Sequence, residues 1–305
     1  MLTSACFQIP DPPLRVATNV WPGYETLYLA RSLGLYDHTP IRLVEMASAS
    51  EVSHALRSGT VEAAALTLDE TLTLMQDGDD LRVVLIMDVS NGADVLLARN
   101  GIANLQSLHG KRVGVEEGAT GALMLDAALQ AGQLSADEVH EVSLTVDEHL
   151  SAWKSGKVDA LVTFEPVRSA LLAADAHVLF DSSRIPGRIV DVLVVRADLV
   201  EKFKSQIRTL LAGHFSAQHY LMTHPQDASA RMAPRLATTP AQLLEQLKGV
   251  HLPDALENQQ WLVGNKSTLV TSAGALVQLM QQRHLLLQKV DVTHLANASF
   301  LPVVP

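Results

Sequence analysis

The residues best suited to recognition chemistry in this chain stand where strand-like runs give way to turns. The stretch "VATNVWPGYETLYLARSLGLY" (16–36) opens as a strand and closes as an amphipathic helix, with Trp21, Pro22, Gly23 and Tyr24 at the handover. Two rings on a stiff turn can stack on a planar or cationic guest. The alternatives are that Trp21 packs between a sheet and its helices, and that Tyr24 is a first-turn helix residue. Acidic residues mark other run ends, namely Asp69, Asp88, Asp94, Glu165 and Asp191, with Arg188 the nearest counter-charge. A carboxylate desolvated in a cleft needs a partner, and an amine or amidine on a guest supplies one. The pattern therefore favours an amine-bearing heterocycle or an aminosulfonate over simple nitrate. Other roles compete: Asp69 as a cap of the following helix, Asp94 as a solvated group, Arg188 as a clamp for a sulfonate or carboxylate. Ser48, Thr67 and Thr163 add hydroxyls at strand ends. "EEGATG" (116–121) leads from a strand into a helix, so the amides of Gly118, Ala119 and Thr120 form a candidate anion site.

Such residues need a scaffold that gathers strand ends. Apolar runs bounded by turn residues predict strands at 14–20, 41–46, 61–66, 81–90, 93–99, 111–115, 139–144, 158–164, 176–180 and 188–196. Between them fall helices at 24–33, closed by Gly34, at 50–59, closed by Gly59, and near 119–131, 147–155 and 165–174. From Asp198 almost to Gln282 the pattern is helical, with breaks at Pro225, Pro240 and Pro253. Alternating strands and helices predict an α/β fold with right-handed crossovers and a mainly parallel sheet.

Two stretches, "ALRSGTVEAAALTLDE" (55–70) and "AWKSGKVDALVTFEPV" (152–167), align without a gap. Ala55, Ser58, Gly59, Val61 and Ala63 match Ala152, Ser155, Gly156, Val158 and Ala160, and Arg57 and Glu62 become Lys154 and Asp159. Each copy reads as a helix end, a Gly cap, a short buried strand and a polar loop. Either Gly-capped αβ units converge on such sequences, or the chain holds two lobes of one plan. In the second case ligands bind outside the carboxyl ends of the strands, in a cleft that both loops face.

The bulk properties narrow the function classes. At 305 residues the chain is long enough for two domains or one large α/β domain. A formal charge of −10 argues against nucleic acid, whose binding needs a basic surface. No apolar run approaches the roughly 20 residues of a membrane span, so a soluble globular protein is expected. Cys6 is the one cysteine, which rules out an intrachain disulfide. "MLTSACFQIPDPP" looks like the end of a bacterial lipoprotein signal with Cys6 as the lipidated residue, although Thr3 stands where Leu is usual. No metal or cofactor is predicted. His214, His219 and His224 are five apart, about 140° of helix rotation, and read as surface histidines. "GVEEGATG" lacks the Lys-Ser/Thr of a phosphate loop, and no G-x-S-x-G elbow is present.

"GYETLYLARSLGLYD", "ALRSGTVEAAAL", "IANLQSLHGKRVGVEEGATG", "ALQAGQLSADEV" and "AWKSGKVDALVTFEPV" occur in that order. Together they resemble the substrate-binding proteins of ABC importers in the nitrate/sulfonate/taurine and thiamine-precursor group (SsuA-like), over roughly residues 14–200. The resemblance implies a type II periplasmic-binding-protein fold of two Rossmann-like lobes joined by two hinge crossovers, with a helical C-terminal region. It implies lobe 1 over 14–91 plus 192–305 and lobe 2 over 92–191, preceded by the polar, Pro-rich stretch 1–13 that reads as a tether. It further implies a periplasmic or cell-envelope monomer, without catalysis, that hands a small polar solute to a membrane permease and its ATPase. Two other functions stay open: an enzyme on the same fold, of thiamine-precursor or menaquinone-pathway type, and a ligand sensor for a membrane receptor.

Overall fold

A computed structural model describes residues 12–116, 119–264 and 266–303. The first apolar runs form β1 (Leu14–Thr18), α1 (Glu25–Ser32), β2 (Ile41–Glu45), α2 (Ala49–Arg57), β3 (Ala63–Thr67), α3 (Leu68–Gln76) and β4 (Leu81–Ser90). There follow β5 (Val95–Arg99), β6 (Arg112–Val115), α4 (Ala119–Ala131), β7 (His140–Ser143), α5 (His149–Lys154), β8 (Ala160–Thr163), α6 (Val167–Leu172), β9 (Ala176–Asp181) and β10 (Val190–Arg196). The remainder supplies α7 (Lys204–Thr223), α8 (Pro225–Met232), α9 (Pro240–Gln246), β11 (Val250–His251), α10 (Ala255–Leu262) and α11 (Thr268–Gln282). Pro225 and Pro240 do more than break a helix: each opens the next one, at the position where a missing N–H is harmless.

The strands make two sheets, in the orders β11-β4-β10-β3-β1-β2 and β7-β6-β8-β5-β9. The chain passes from the first sheet to the second after β4 and returns before β10. Both sheets are mixed rather than mainly parallel as the alternation predicts. β1 runs parallel to β2 and β3, and β6 parallel to β7 and β8, whereas β10 is antiparallel to β3 and β4, and β5 to β8 and β9. β5 and β10 are the strands the chain enters from the other sheet, so no crossover helix sets their direction; the short β11 is also antiparallel to β4. Helices cover both faces of each sheet, and separate apolar clusters fill the faces of the first and of the second. All of β3 is buried, as a continuous Ala-Leu run without alternation requires.

The duplicated stretches occupy equivalent places. β3 lies between β1 and β10, and β8 between β6 and β5. Gly59 and Gly156 both turn at positive φ, +71° and +70°. The matched acids act alike: Glu62 accepts from the Arg15 backbone N–H at 2.8 Å and pairs with its guanidinium, and Asp159 does the same for Arg112 at 3.0 Å. No described helix is long and apolar enough to cross a membrane.

Candidate ligand-binding site

Backbone register assembles the first wall. Across the antiparallel ladders Asp191 on β10 is the partner of Thr67 on β3 and of Asp88 on β4, so three polar residues from three strands lie side by side. β1 then delivers the aromatic turn. Trp21 is extended, and Pro22 opens the single helical turn Pro22–Tyr24 that leads into α1. The Trp21 Nε1–H donates to Asp88 Oδ2 at 3.0 Å, and the Tyr24 hydroxyl donates to Asp191 Oδ1. Gly23 is required between them: a Cβ there would lie 1.8 Å from Asp88 Oδ2 and 2.7 Å from Trp21 Nε1. Both rings are buried in the core of the first sheet and also line a hollow between the sheets. The two sequence alternatives for Trp21 therefore coincide.

The second wall comes from the other sheet. Phe164, just beyond β8, meets Trp21 edge-on at 5.6 Å. Thr120, in the first turn of α4, contacts Thr67 Oγ1 at 2.7 Å and donates to Asp69 Oδ2 at 2.8 Å. Glu116 Oε1 accepts from the Ser50 N–H and hydroxyl at the start of α2, at 3.3 and 3.1 Å. Ser182, after β9, ties the crossings: its hydroxyl lies 2.8 Å from Ser90 Oγ and accepts from the Gly92 N–H at 2.7 Å. The hollow between the walls is lined by Trp21, Tyr24, Thr67, Asp94, Thr120 and Asp191, with Asn19, Ala49, Glu70, Phe164 and Ile189.

Its electrostatics are one-sided. Burial pushes the Asp88 and Asp94 carboxyls up to about 7 and Asp69 to about 6. Glu70 rises to about 8, from burial first and then the charge of Asp69. Asp191 is pushed up by burial and by neighbouring Asp88, since two adjacent desolvated carboxylates resist joint ionisation. Asp69 Oδ1, Asp88 Oδ1 and Asp94 Oδ2 are buried without a hydrogen-bond partner, and no Lys or Arg lines the hollow among the described residues.

Not every predicted residue belongs to this group. Ser48 is buried behind the lining as the cap of α2, accepting from the Glu51 N–H at 3.2 Å. Thr163 lines a second, adjoining chamber, bonded to His149. Asp69 and Asp88 stand just behind the lining through Thr120 and Trp21. Glu165 is turned away, accepting from Arg168 Nη1 at 2.7 Å and from the Ser169 N–H and hydroxyl at 3.1 and 3.0 Å. Its own helix satisfies it, which corrects its reading as a free cleft carboxylate. Arg188 lies in a separate groove with Leu68, Ser272 and Leu276 and offers the hollow no counter-charge. His214 is buried rather than at the surface, its Nδ1 2.8 Å from Thr26 Oγ1. Gly118 and Cys6 lie outside the described residues; Ala119 opens α4, and its side chain is likewise not described. Phe164, which ends the duplicated strand with Thr163 and Glu165, lines the hollow as the strand-end rule expects, and sequence reasoning missed Asn19, which the same rule could have named. It missed Glu70, hidden as the capping-box partner of Thr67, and it missed Glu116 and His149, which carry no local signal.

The chain has relatives among known proteins. The taurine-binding periplasmic protein of Escherichia coli K12 is 26% identical over 181 residues, 58% of this chain and 56% of that protein, so the chain spans only about half the length of that curated relative. The alkanesulfonate-binding protein SsuA of Xanthomonas axonopodis pv. citri, solved bound to MOPS, superposes with a TM-score of 0.79 at 19% identity, covering 92% of this chain and 96% of that one. The desulfurization enzyme DszB superposes with a TM-score of 0.65 at 19% identity, covering 94% and 97%. These likenesses show the periplasmic-binding-protein fold, on which both binding proteins and an enzyme are built. The model of the NMT1-like family matches residues 8–237, well over half of the sequence, and the chain belongs to that family.

Proposed function

We propose that the chain is the solute-binding component of an ABC importer in the cell envelope, capturing a small amine-bearing compound between its two sheets. The observation that carries this reading is a hollow lined by Glu70, Asp94 and Asp191 with no cation in its described lining, where Asp94 Oδ2, and Asp69 Oδ1 and Asp88 Oδ1 just behind the lining, are buried without a partner among the described residues. An ammonium or amidinium group supplies the missing donors and the missing charge. The lobes are 14–91 with 192–305 and 92–191, hinged where the chain changes sheets. Ligand favours closure because it satisfies both walls at once. A monomer closed on its solute then docks on a permease, and no step of chemistry is needed. The shared fold of an enzyme makes turnover the competing reading, so recovery of the bound compound intact after prolonged incubation is part of the test.

Thermal-shift and calorimetric titration at pH 7.5 with taurine, ethanesulfonate, butylamine, an aminopyrimidine and nitrate decide the matter. Taurine and ethanesulfonate differ in the amine. Amine-bearing compounds are expected to raise the melting temperature, and ethanesulfonate and nitrate to leave it unchanged. Stabilisation by ethanesulfonate equal to that by taurine would reject the cationic site.

A further inference from the structure

A second chamber lies beside the hollow. The two share a collar of Glu70, Asp94, Thr120 and Phe164, and the inner one, in the second sheet's half, is further lined by Glu116, Met124, His149, Val162 and Thr163. His149 opens α5 and is 1% exposed. Its Nδ1 lies 3.0 Å from Thr163 Oγ1, and its buried Nε2 has no partner among the described residues. This buried polar atom, in a chamber that shares four lining residues with the first, points to a ligand that reaches both.

We infer that the inner chamber is a second ligand subsite, and that the site takes a two-ended solute: an amine held at the acidic collar and an uncharged hydroxyl or amide that hydrogen-bonds His149 Nε2. The inference rests on the reading of the hollow as a cationic capture site and specifies the other end of the guest. Three features select an uncharged group. Burial lowers His149 to about 4, so the imidazole is neutral at physiological pH and offers an anion no charge. Glu70, Asp94 and Glu116 line the chamber and repel a carboxylate or sulfonate. Either the imidazole or the Thr163 hydroxyl can donate in their shared bond, so Nε2 is an acceptor or a donor according to tautomer. A hydroxyl answers both. Met124, Val162 and Phe164 give a short methylene spacer an apolar path between the ends.

The test is isothermal titration of the full chain with n-alkylamines of two to five carbons and with the matching ω-amino alcohols, alongside 3-aminopropanesulfonate. At one spacer length the amino alcohol is expected to bind about tenfold more tightly than its alkylamine, the gain of one buried hydrogen bond. His149→Phe should erase that gain, the amino alcohol then binding no more tightly than its alkylamine. Should that variant fold poorly, the imidazole ¹⁵N spectrum of the wild type gives a second readout, with His149→Gln assigning the signal: Nε2 shifts with the amino alcohol and not with the alkylamine. Alkylamines binding with no hydroxyl gain at any length would overturn the subsite while sparing the cationic reading. A gain that survives His149→Phe, or 3-aminopropanesulfonate outbinding every amino alcohol, would also overturn the subsite. Failure of every amine in both series would overturn both.

Discussion

Trp21 meets three demands with one side chain. Its ring fills the core of the first sheet, its edge meets Phe164 across the hollow, and its Nε1–H donates to Asp88, whose other oxygen has no partner among the described residues. Trp21→Phe keeps a ring for the packing and removes the donor, so it isolates the hydrogen bond. A buried carboxyl stripped of its partner costs about 1–3 kcal/mol. Urea denaturation of Trp21→Phe at pH 7.5 is expected to show a loss of that size, together with weaker amine binding. The loss should shrink at pH 5, where Asp88, pushed up to about 7 by burial, is protonated. An unchanged midpoint at pH 7.5 would make the Trp21–Asp88 contact incidental. Glu165 teaches the converse at this scale: equally buried, it is answered by Arg168 and Ser169 on its own helix and has nothing left to offer a guest.

At the scale of elements, two glycines separate a turn that builds the site from one that builds the scaffold. Gly23 has ordinary φ but no room, because a Cβ would collide with Asp88 Oδ2. Gly156 has room on every side but sits at φ +70°. Gly156→Ala is therefore expected to cost about 1 kcal/mol of stability in urea titrations, the strain of a left-handed alanine, with ligand affinity intact. Gly23→Ala should weaken amine binding at least about tenfold, because the turn must move away from the carboxylate it serves. Equal effects of the two changes on affinity would refute the distinction. The same scale explains what could be read from the chain beforehand. Buried strands announce themselves as apolar runs, and the repeat of 55–70 in 152–167 carries real equivalence. Its alignment sets Thr67 against Phe164, one on each wall, and pairs Glu62 with Asp159, each bonded to the arginine of the neighbouring strand. Strand direction was hidden, because β5 and β10 take theirs from the passages between sheets, which no local pattern encodes. Side-chain direction was hidden too. A strand-end rule names Glu165 as readily as Asp191, and only packing turns one inward to its helix and the other toward the hollow. β11, two residues long, is too short to carry any periodicity and lies inside a stretch that reads as helix.

For the whole molecule, the carboxyls act together as a proton store. Asp69, Glu70, Asp88 and Asp94 are held at about 6, 8, 7 and 7, Asp191 is raised as well, and Glu25, elsewhere in the first sheet's half, reaches about 7 through burial despite its pairing with Arg235. An unfolded chain returns each to about 4. Between pH 4 and pH 8 the folded state thus binds more protons than the unfolded one, and stability falls as pH rises through that window. The free protein is expected to lose on the order of 2 kcal/mol or more between pH 5.5 and pH 8 in urea titrations, because a tenfold difference in proton affinity between the folded and unfolded chain is worth about 1.4 kcal/mol. An amine bound at the collar replaces protons with a fixed positive charge, so its uptake must release them. Linkage then requires amine affinity to increase with pH from 6 to 8, by up to about tenfold per pH unit for each proton released. The two slopes have opposite signs: the free protein weakens as the hollow ionises, and the complex gains. Calorimetric titration of butylamine in two buffers of different ionisation enthalpy counts the protons directly. Zero release, or an affinity that falls with pH, would show that the carboxyls stay protonated beside the guest and do not hold its charge.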